Sequence, residues 1–113
     1  MRYVLLVCDD ESAELSQDEV ARRYAAYTAC EDEMRSRGVF VGRERLRPTS
    51  TSTCVRVREG QLVIVDGPFA ETKEQIAGYF VVDCADLDEA IEMAQLIPAA
   101  EHGTVEVRPV WQM

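Results

Sequence analysis

Histidine is scarce in this sequence of 113 residues, which has a single imidazole, at position 102. One histidine excludes a His pair or a His-rich metal cluster within one chain. The four cysteines, at positions 8, 30, 54 and 84, include no C-x-x-C pair and do not have the dense spacing of a disulfide framework. We therefore predict four free thiols in a reducing compartment, no metal site and no bound cofactor.

Long apolar runs and excess positive charge are also missing. The runs YVLLVC and LVIV are too short to span a bilayer, and the N-terminus has neither the apolar stretch nor the cleavage site of a signal peptide. A net charge of -9 repels phosphate backbones and anionic lipid surfaces. We expect a cytoplasmic protein with no nucleic-acid or membrane partner.

The composition is that of one folded domain covering residues 1–113. Apolar residues make up 47% and charged residues 29%, and no linker or low-complexity tract divides the chain. A chain of this size buries roughly 65% of its unfolded surface in a single core.

The hydrophobic pattern predicts strands and helices in the order β-α-β, a β-hairpin, then β-α-β. Tyr3–Cys8 is apolar on both faces, and the capping box Ser16-Gln-Asp-Glu19 opens a helix that Gly38 ends. The second strand runs from Val39 to about Leu46. The apolar stripe predicted for the first helix consists of Val20, Tyr24, Tyr27, Cys30 and Met34.

The rest of the chain follows the same logic. TCVRVR, the turn Glu59-Gly60 and LVIV predict the hairpin, and an apolar strand follows from a start at Gly78 to Cys84. Asp86 begins a second helix, Pro98 stops it, and Thr104 to Val110 forms the last strand. This order is typical of a ferredoxin-like α+β fold with both helices on one face of an antiparallel sheet. Because two strands are apolar on both sides, the other face needs a cover, and we predict a homodimer.

The stretch VDGPFAETKEQIAGYF raises the question of function. Gly67 and Pro68 fix the backbone direction, and 12 residues separate Val65 from the predicted strand start at Gly78, more than a hairpin turn needs. In one interpretation, Asp66 or Glu71 acts as a general acid or base and Lys73 contacts an anion. In the other, Asp66 caps a turn, Phe69 enters the core and residues 71–75 form a solvated helical turn.

Arginines form a second pattern: five of the chain's 12 basic residues lie within 16 positions, at 43, 45, 47, 56 and 58. If these strands pair in register, their side chains line one sheet face suited to a carboxylate or phosphate. The alternative is a solvated hairpin.

His102, in a turn before the last strand, is predicted to be a surface loop residue. Trp111 is expected to pack on the last strand or at a dimer interface.

The segment from Val65 to Pro98, with its Asp-Gly-Pro-Phe-Ala-Glu-Thr-Lys core, resembles the YCII-related family and its DGPF-motif branch. MRYVLLV, TSTCVRVREGQ and GTVEVRPV fit the same pattern, so the resemblance runs nearly end to end. It implies a dimeric α+β barrel, found mostly in uncharacterised bacterial proteins, some associated with sigma factors. The wider family has been linked to a His–Asp pair, but the first helix here has no histidine and His102 lies elsewhere. The resemblance marks the DGPF loop as the rim of a cleft, with these residues: Asp66, Gly67, Pro68, Phe69, Glu71, Thr72 and Lys73.

Three hypotheses follow. The first is a homodimer that binds a small anionic metabolite and could transform it by cofactor-independent acid–base chemistry; Asp66 and Glu71 handle protons, and Lys73, Arg56 and Arg58 hold the anion. The second is a non-catalytic interaction module linked to transcription. The third is a loop that only stabilises the dimer.

Overall fold

The computed structural model describes residues 1–112, which form a four-stranded antiparallel sheet, two helices and a separate hairpin. The sheet has the order β2-β5-β1-β6, with each neighbouring pair antiparallel. This arrangement confirms the predicted ferredoxin-like α+β fold. The elements are β1 (Arg2–Asp9), α1 (Gln17–Ser36), β2 (Phe40–Arg45), β3 (Thr53–Arg58), β4 (Gln61–Asp66), β5 (Gln75–Asp83), α2 (Leu87–Leu96) and β6 (Thr104–Pro109).

The core lies between one face of the sheet and the two helices. Leu5 and Val82 come from the central strands, and Met34, Met93 and Ile97 meet them from the helical layer, all at 0% exposure. Both helix starts are capped by the predicted residues, since the Ser16 hydroxyl accepts from the Glu19 N–H at 3.1 Å and Asp86 Oδ1 accepts from the Glu89 N–H at 2.9 Å. The Glu19 carboxylate, predicted to complete a capping box, binds Arg22 and Arg23 instead. No helix in residues 1–112 is long and apolar enough to cross a membrane.

The opposite face of the sheet has no covering layer in the described chain. Its two central strands place apolar side chains there in register, because Leu6 pairs with Tyr79, Val4 with Val81 and Cys8 with Ile76. We call these six residues the open face. Glu44 on β2, and Glu106 and Arg108 on β6, flank it.

The hairpin, residues 53–66, stands away from this two-layer body. The turn is the predicted one, with Glu59 and Gly60 at φ values of 52° and 74°. The hairpin's side chains are exposed along both faces apart from a half-buried Cys54. The radius of gyration of 16.1 Å exceeds the roughly 13 Å of a compact chain of this length.

Four expectations from the sequence differ in detail from the structure. β5 begins at Gln75, not Gly78, so the connection after β4 covers only residues 67–74. No helical turn forms within it. Val20 and Tyr24, predicted as core, are 49% and 69% exposed, because the inward face of α1 carries Arg23 and Tyr27 in place of them, while Cys30 and Met34 are buried as predicted. Trp111, 87% exposed, does not pack on the last strand, and its place at a dimer interface stays a prediction.

Candidate functional site at the end of the sheet

The single histidine forms a pair with a carboxylate. His102 Nε2 lies 3.0 Å from Asp9 Oδ2, although 93 positions separate the two residues. Asp9 is the last residue of β1, and His102 lies in the turn that leads into β6, so the antiparallel pairing of these strands brings them together. Their side chains are 31% and 22% exposed, so a ligand from solvent can reach the imidazole. His102 is therefore on the surface, as predicted, but it has a partner that the sequence did not reveal.

An arginine of α1 completes the pair from the other side. Arg23 Nη1 lies 3.5 Å from Asp9 Oδ2, and its Nε donates to Glu19 Oε1 at 3.2 Å. The Arg22 and Arg23 side chains hold the pKa of Glu19 below its ordinary value through their hydrogen bonds. The first turns of α1 thus hold a cation against the carboxylate that faces the imidazole.

Tyr27 lies one turn further along α1. Burial raises the pKa of its phenol, the Asp9 carboxylate adds to the increase, and a backbone hydrogen bond at Ala99 opposes it. Its ring stacks on Phe80 with centroids 6.4 Å apart. At neutral pH Tyr27 is a neutral phenol beside Asp9. We call Asp9, His102, Arg23 and Tyr27 the Asp9 site.

The segment after the DGPF motif reaches the same end of the sheet. Gln75 pairs with Asp9 in the β1–β5 ladder, and its side-chain oxygen accepts from the Glu11 N–H at 3.0 Å. The Glu74 carboxylate accepts from the Thr104 hydroxyl at 3.0 Å, two residues after His102. Lys73 is next to Glu74 in the chain and is exposed. The predicted anion-binding lysine therefore lies on the segment that borders the Asp9 site.

The motif itself forms the base of the hairpin. Asp66 is the last residue of β4, and its Oδ1 is 3.5 Å from the Thr53 hydroxyl across the strand pair. Gly67, at a φ of 103°, donates its N–H to the Ser52 carbonyl at 2.7 Å, and its own carbonyl accepts from Cys54 Sγ at 3.3 Å. These bonds close the base of the hairpin on both strands.

Phe69 does not enter the core. Its ring is 76% exposed and lies under the Arg56 guanidinium, 5.0 Å from ring centroid to Cζ. A small cavity of about 150 Å³ opens there, lined by Cys54, Arg56, Val63, Val65, Pro68 and Phe69. The interpretation of Phe69 as a core residue is wrong, because residues 67–70 fold back on the hairpin rather than on the body.

The predicted acid–base and anion-binding residues separate into two groups. No described hydrogen bond or ion pair in residues 1–112 joins Asp66 or Glu71 to the Asp9 site. Thr72 donates its hydroxyl to the Glu74 carbonyl at 2.7 Å, within the segment that leads to that site. The chemical roles of Asp66, Glu71 and Lys73 remain predictions. Asp66 lies at the base of the hairpin, whereas Lys73 lies on the segment that borders the Asp9 site.

The arginines do not form one sheet face. β2 pairs with β5, whereas β3 pairs with β4 in a separate sheet, so the in-register pairing on which that prediction depended is wrong. Arg43 faces the helices, where it binds Glu31 at 2.9 Å and lies 5.9 Å from the Tyr27 ring centroid. Arg56 and Arg58 lie on the hairpin. No group of three His, Cys, Asp or Glu in the described residues could hold a metal ion.

Comparison with known proteins agrees with this architecture. The model of the YCII-related domain matches residues 1–113. The chain belongs to the YCII-related family. An uncharacterized protein of Rhizobium meliloti (strain 1021) is 37% identical over 114 residues, which cover 97% of this chain and 92% of the relative. In this YCII-related protein, the contact between His102 and Asp9 joins the turn before β6 to the end of β1.

Proposed function

We propose that this YCII-related protein binds a small anionic metabolite at the Asp9 site and transfers a proton with His102. The observation that carries the proposal is the 3.0 Å contact between His102 Nε2 and Asp9 Oδ2 at a solvent-accessible position. In the neutral imidazole, Nε2–H donates to the carboxylate and the other ring nitrogen is free to accept a proton from a ligand. The Asp9 carboxylate then stabilises the imidazolium that forms.

Cationic groups near the pair supply the anion contact. Arg23 lies against Asp9, and Lys73 precedes the residue that binds Thr104 at the same end of the sheet. A carboxylate or phosphate placed between them and the imidazole would gain charge-assisted hydrogen bonds. This assignment keeps Lys73 as a ligand contact and moves proton transfer from Asp66 and Glu71 to His102.

A homodimer is the assembly that we propose for this function. The open face presents Val4, Leu6 and Tyr79 among its apolar residues, and the described chain provides no layer to cover them. The same face of a second copy would bury both. An interaction module remains the alternative, and the exposed hairpin is the feature that favours it.

A thermal-shift screen with carboxylate and phosphate metabolites tests the proposed site. A ligand at 100 times its Kd stabilises by about 2.7 kcal/mol, which for a domain of this size raises Tm by several degrees. We expect the shift to be lost in Lys73→Ala and to persist in Asp66→Ala. For a ligand that is turned over, His102→Gln should abolish product formation while binding persists. A shift that depends on Asp66 and is indifferent to Lys73 and His102 would contradict the assignment.

A further inference from the structure

The hairpin has an apolar face that no other part of the chain buries within residues 1–112. Val55 pairs with Ile64 and Val57 with Leu62, so these four side chains share one side of the ribbon. Their exposures are 62%, 58%, 63% and 64%. An isolated two-stranded hairpin is marginally stable in water, and four adjacent exposed aliphatic residues indicate a surface that another molecule covers.

The hairpin is also held in a fixed direction. The Gly67 N–H donates to the Ser52 carbonyl, and the Cys54 thiol donates to the Gly67 carbonyl. Phe69 packs beneath the Arg56 guanidinium, on the side of the hairpin opposite to the apolar face. The DGPF motif therefore fixes the base of a projecting ribbon. Its six-residue strands extend about 20 Å from that base. This length is enough to reach across to a neighbouring molecule.

Charge and area together indicate a second copy of this chain. Within residues 53–66, Arg56 and Arg58 balance Glu59 and Asp66, so the whole net charge of -9 lies on the body. The hairpin is thus the part of one copy that can approach the acidic body of another without net repulsion, because its arginines, on the side of the ribbon opposite to the apolar face, cancel its own acidic charges.

The surface area that the hairpin can bury distinguishes two arrangements of the dimer: two hairpins packed on each other, or each hairpin packed on the body of the other copy. At roughly 100 Å² per aliphatic side chain, the apolar face offers roughly 250 Å². Two such faces packed on each other would bury roughly 500 Å², less than half of the roughly 1,200 Å² that stable interfaces need. If each hairpin packs on the body of the other copy, the total buried area doubles, because each apolar face then also covers a patch of the body. The contact between the two open faces adds further buried area.

We propose that the hairpin is a dimerisation arm: its Val55, Val57, Leu62 and Ile64 face packs on the body of a second copy, and the DGPF motif aims it. Each copy gives one arm and receives one, as twofold symmetry requires. The inference concerns assembly, and it stands or falls separately from proton transfer at the Asp9 site.

Sedimentation equilibrium of the full chain tests the arm. We expect a wild-type dimer and at least a hundredfold increase in the dimer Kd for Val57→Asp/Ile64→Asp. Ile91→Asp is the matched control, since Ile91 is a 40% exposed aliphatic residue on α2, and its Kd should change less than threefold. A monomeric wild type would overturn both the arm and the homodimer. A dimer unaffected by the double substitution would overturn the arm and leave the open-face dimer in place.

A second variant tests which surface of the partner the arm contacts, and it leaves the apolar face of the arm unchanged. Arg56→Gln/Arg58→Gln removes two exposed positive charges. Against an acidic body, their loss should raise the dimer Kd severalfold at low salt. Against another hairpin, which carries no net charge, the same loss should change the Kd less than twofold. A Kd within twofold of the wild type at low salt would therefore overturn the arm-to-body arrangement. Circular dichroism at 222 nm confirms that each variant keeps its helices.

Discussion

Gly103 shows how a single residue without a side chain permits the Asp9 site. A Cβ built on it would lie 2.3 Å from the Cys8 carbonyl oxygen and 3.3 Å from Asp9 Cα. Both are backbone atoms of β1, so the start of β6 would have to move away from the strand that holds Asp9. The close approach of Gly103 is what allows the neighbouring His102 to reach the carboxylate.

We therefore expect Gly103→Ala to lower the free energy of unfolding by about 2 kcal/mol, the usual cost of overpacking. It should also impair any ligand response at the Asp9 site, because His102 moves with Gly103. The measurement is urea denaturation followed by circular dichroism. Gly42→Ala is the control, since nothing lies within 4 Å of a Cβ there. Equal urea midpoints for the two variants would refute the steric argument.

The His102–Asp9 contact was beyond prediction from sequence for a physical reason. The two residues are 93 positions apart, and their distance depends on the β1–β6 register and on the short turn after α2. The local sequence pattern indicates neither the register of two distant strands nor the path of that turn. One signal was present: Cys8-Asp9 ends an apolar strand, and His102-Gly103 precedes another, so antiparallel pairing of those strands would have placed them at one edge. The DGPF motif drew attention instead because its residues are adjacent in sequence.

Helix starts were predictable at the element scale because capping is local. Ser16 and Asp86 each accept a hydrogen bond from the backbone three residues later, as the spacing indicated. The hairpin turn was equally predictable, because Glu59-Gly60 meets the φ requirement of a two-residue turn. What the pattern could not give was burial: Val20 and Leu62 have the spacing of core residues but lie on faces that nothing in the described chain covers.

The cap of α2 has a measurable energy. Asp86→Ala removes the acceptor for the Glu89 N–H, which lies at 2.9 Å, and leaves that donor without its partner. We expect a loss of about 1 kcal/mol of stability, typical for an N-cap. Chemical denaturation of Asp86→Ala beside Asp88→Ala measures it, because Asp88 supplies the same charge in the first turn without being the cap. A loss in Asp88→Ala as large as in Asp86→Ala would show that charge, and not the cap bond, matters.

At the scale of the whole molecule, the core and the unburied apolar surface lie on opposite sides of one thin sheet. The dimensions of 48 × 44 × 18 Å describe a flat molecule, with a two-layer body and a hairpin beyond it. The sequence predicted an uncovered sheet face from strands that are apolar on both sides, and the register of β1 with β5 bears this out. It did not predict the hairpin's isolation, since alternation within TCVRVR is the same whether the ribbon joins the main sheet or stands apart.

Two thiols in the core, Cys30 and Cys84, make the fold less stable at alkaline pH. Burial raises the pKa of the Cys30 thiol from its ordinary value of 9.0 to about 11. Burial, with the nearby Glu89 carboxylate, does the same for Cys84. Between these pH values the unfolded chain releases thiol protons that the folded chain keeps, so the unfolded state binds fewer protons and stability falls as pH rises.

For Cys30 alone, this linkage removes about 2 kcal/mol from the free energy of unfolding by pH 11. Urea midpoints measured under reducing conditions from pH 8 to pH 11 should therefore fall less steeply in Cys30→Ala than in the wild type. The stability gap between wild type and Cys30→Ala should narrow as pH rises. If the two curves run parallel, the Cys30 thiol ionises equally in the folded and unfolded chains, and the alkaline sensitivity of the fold has another origin.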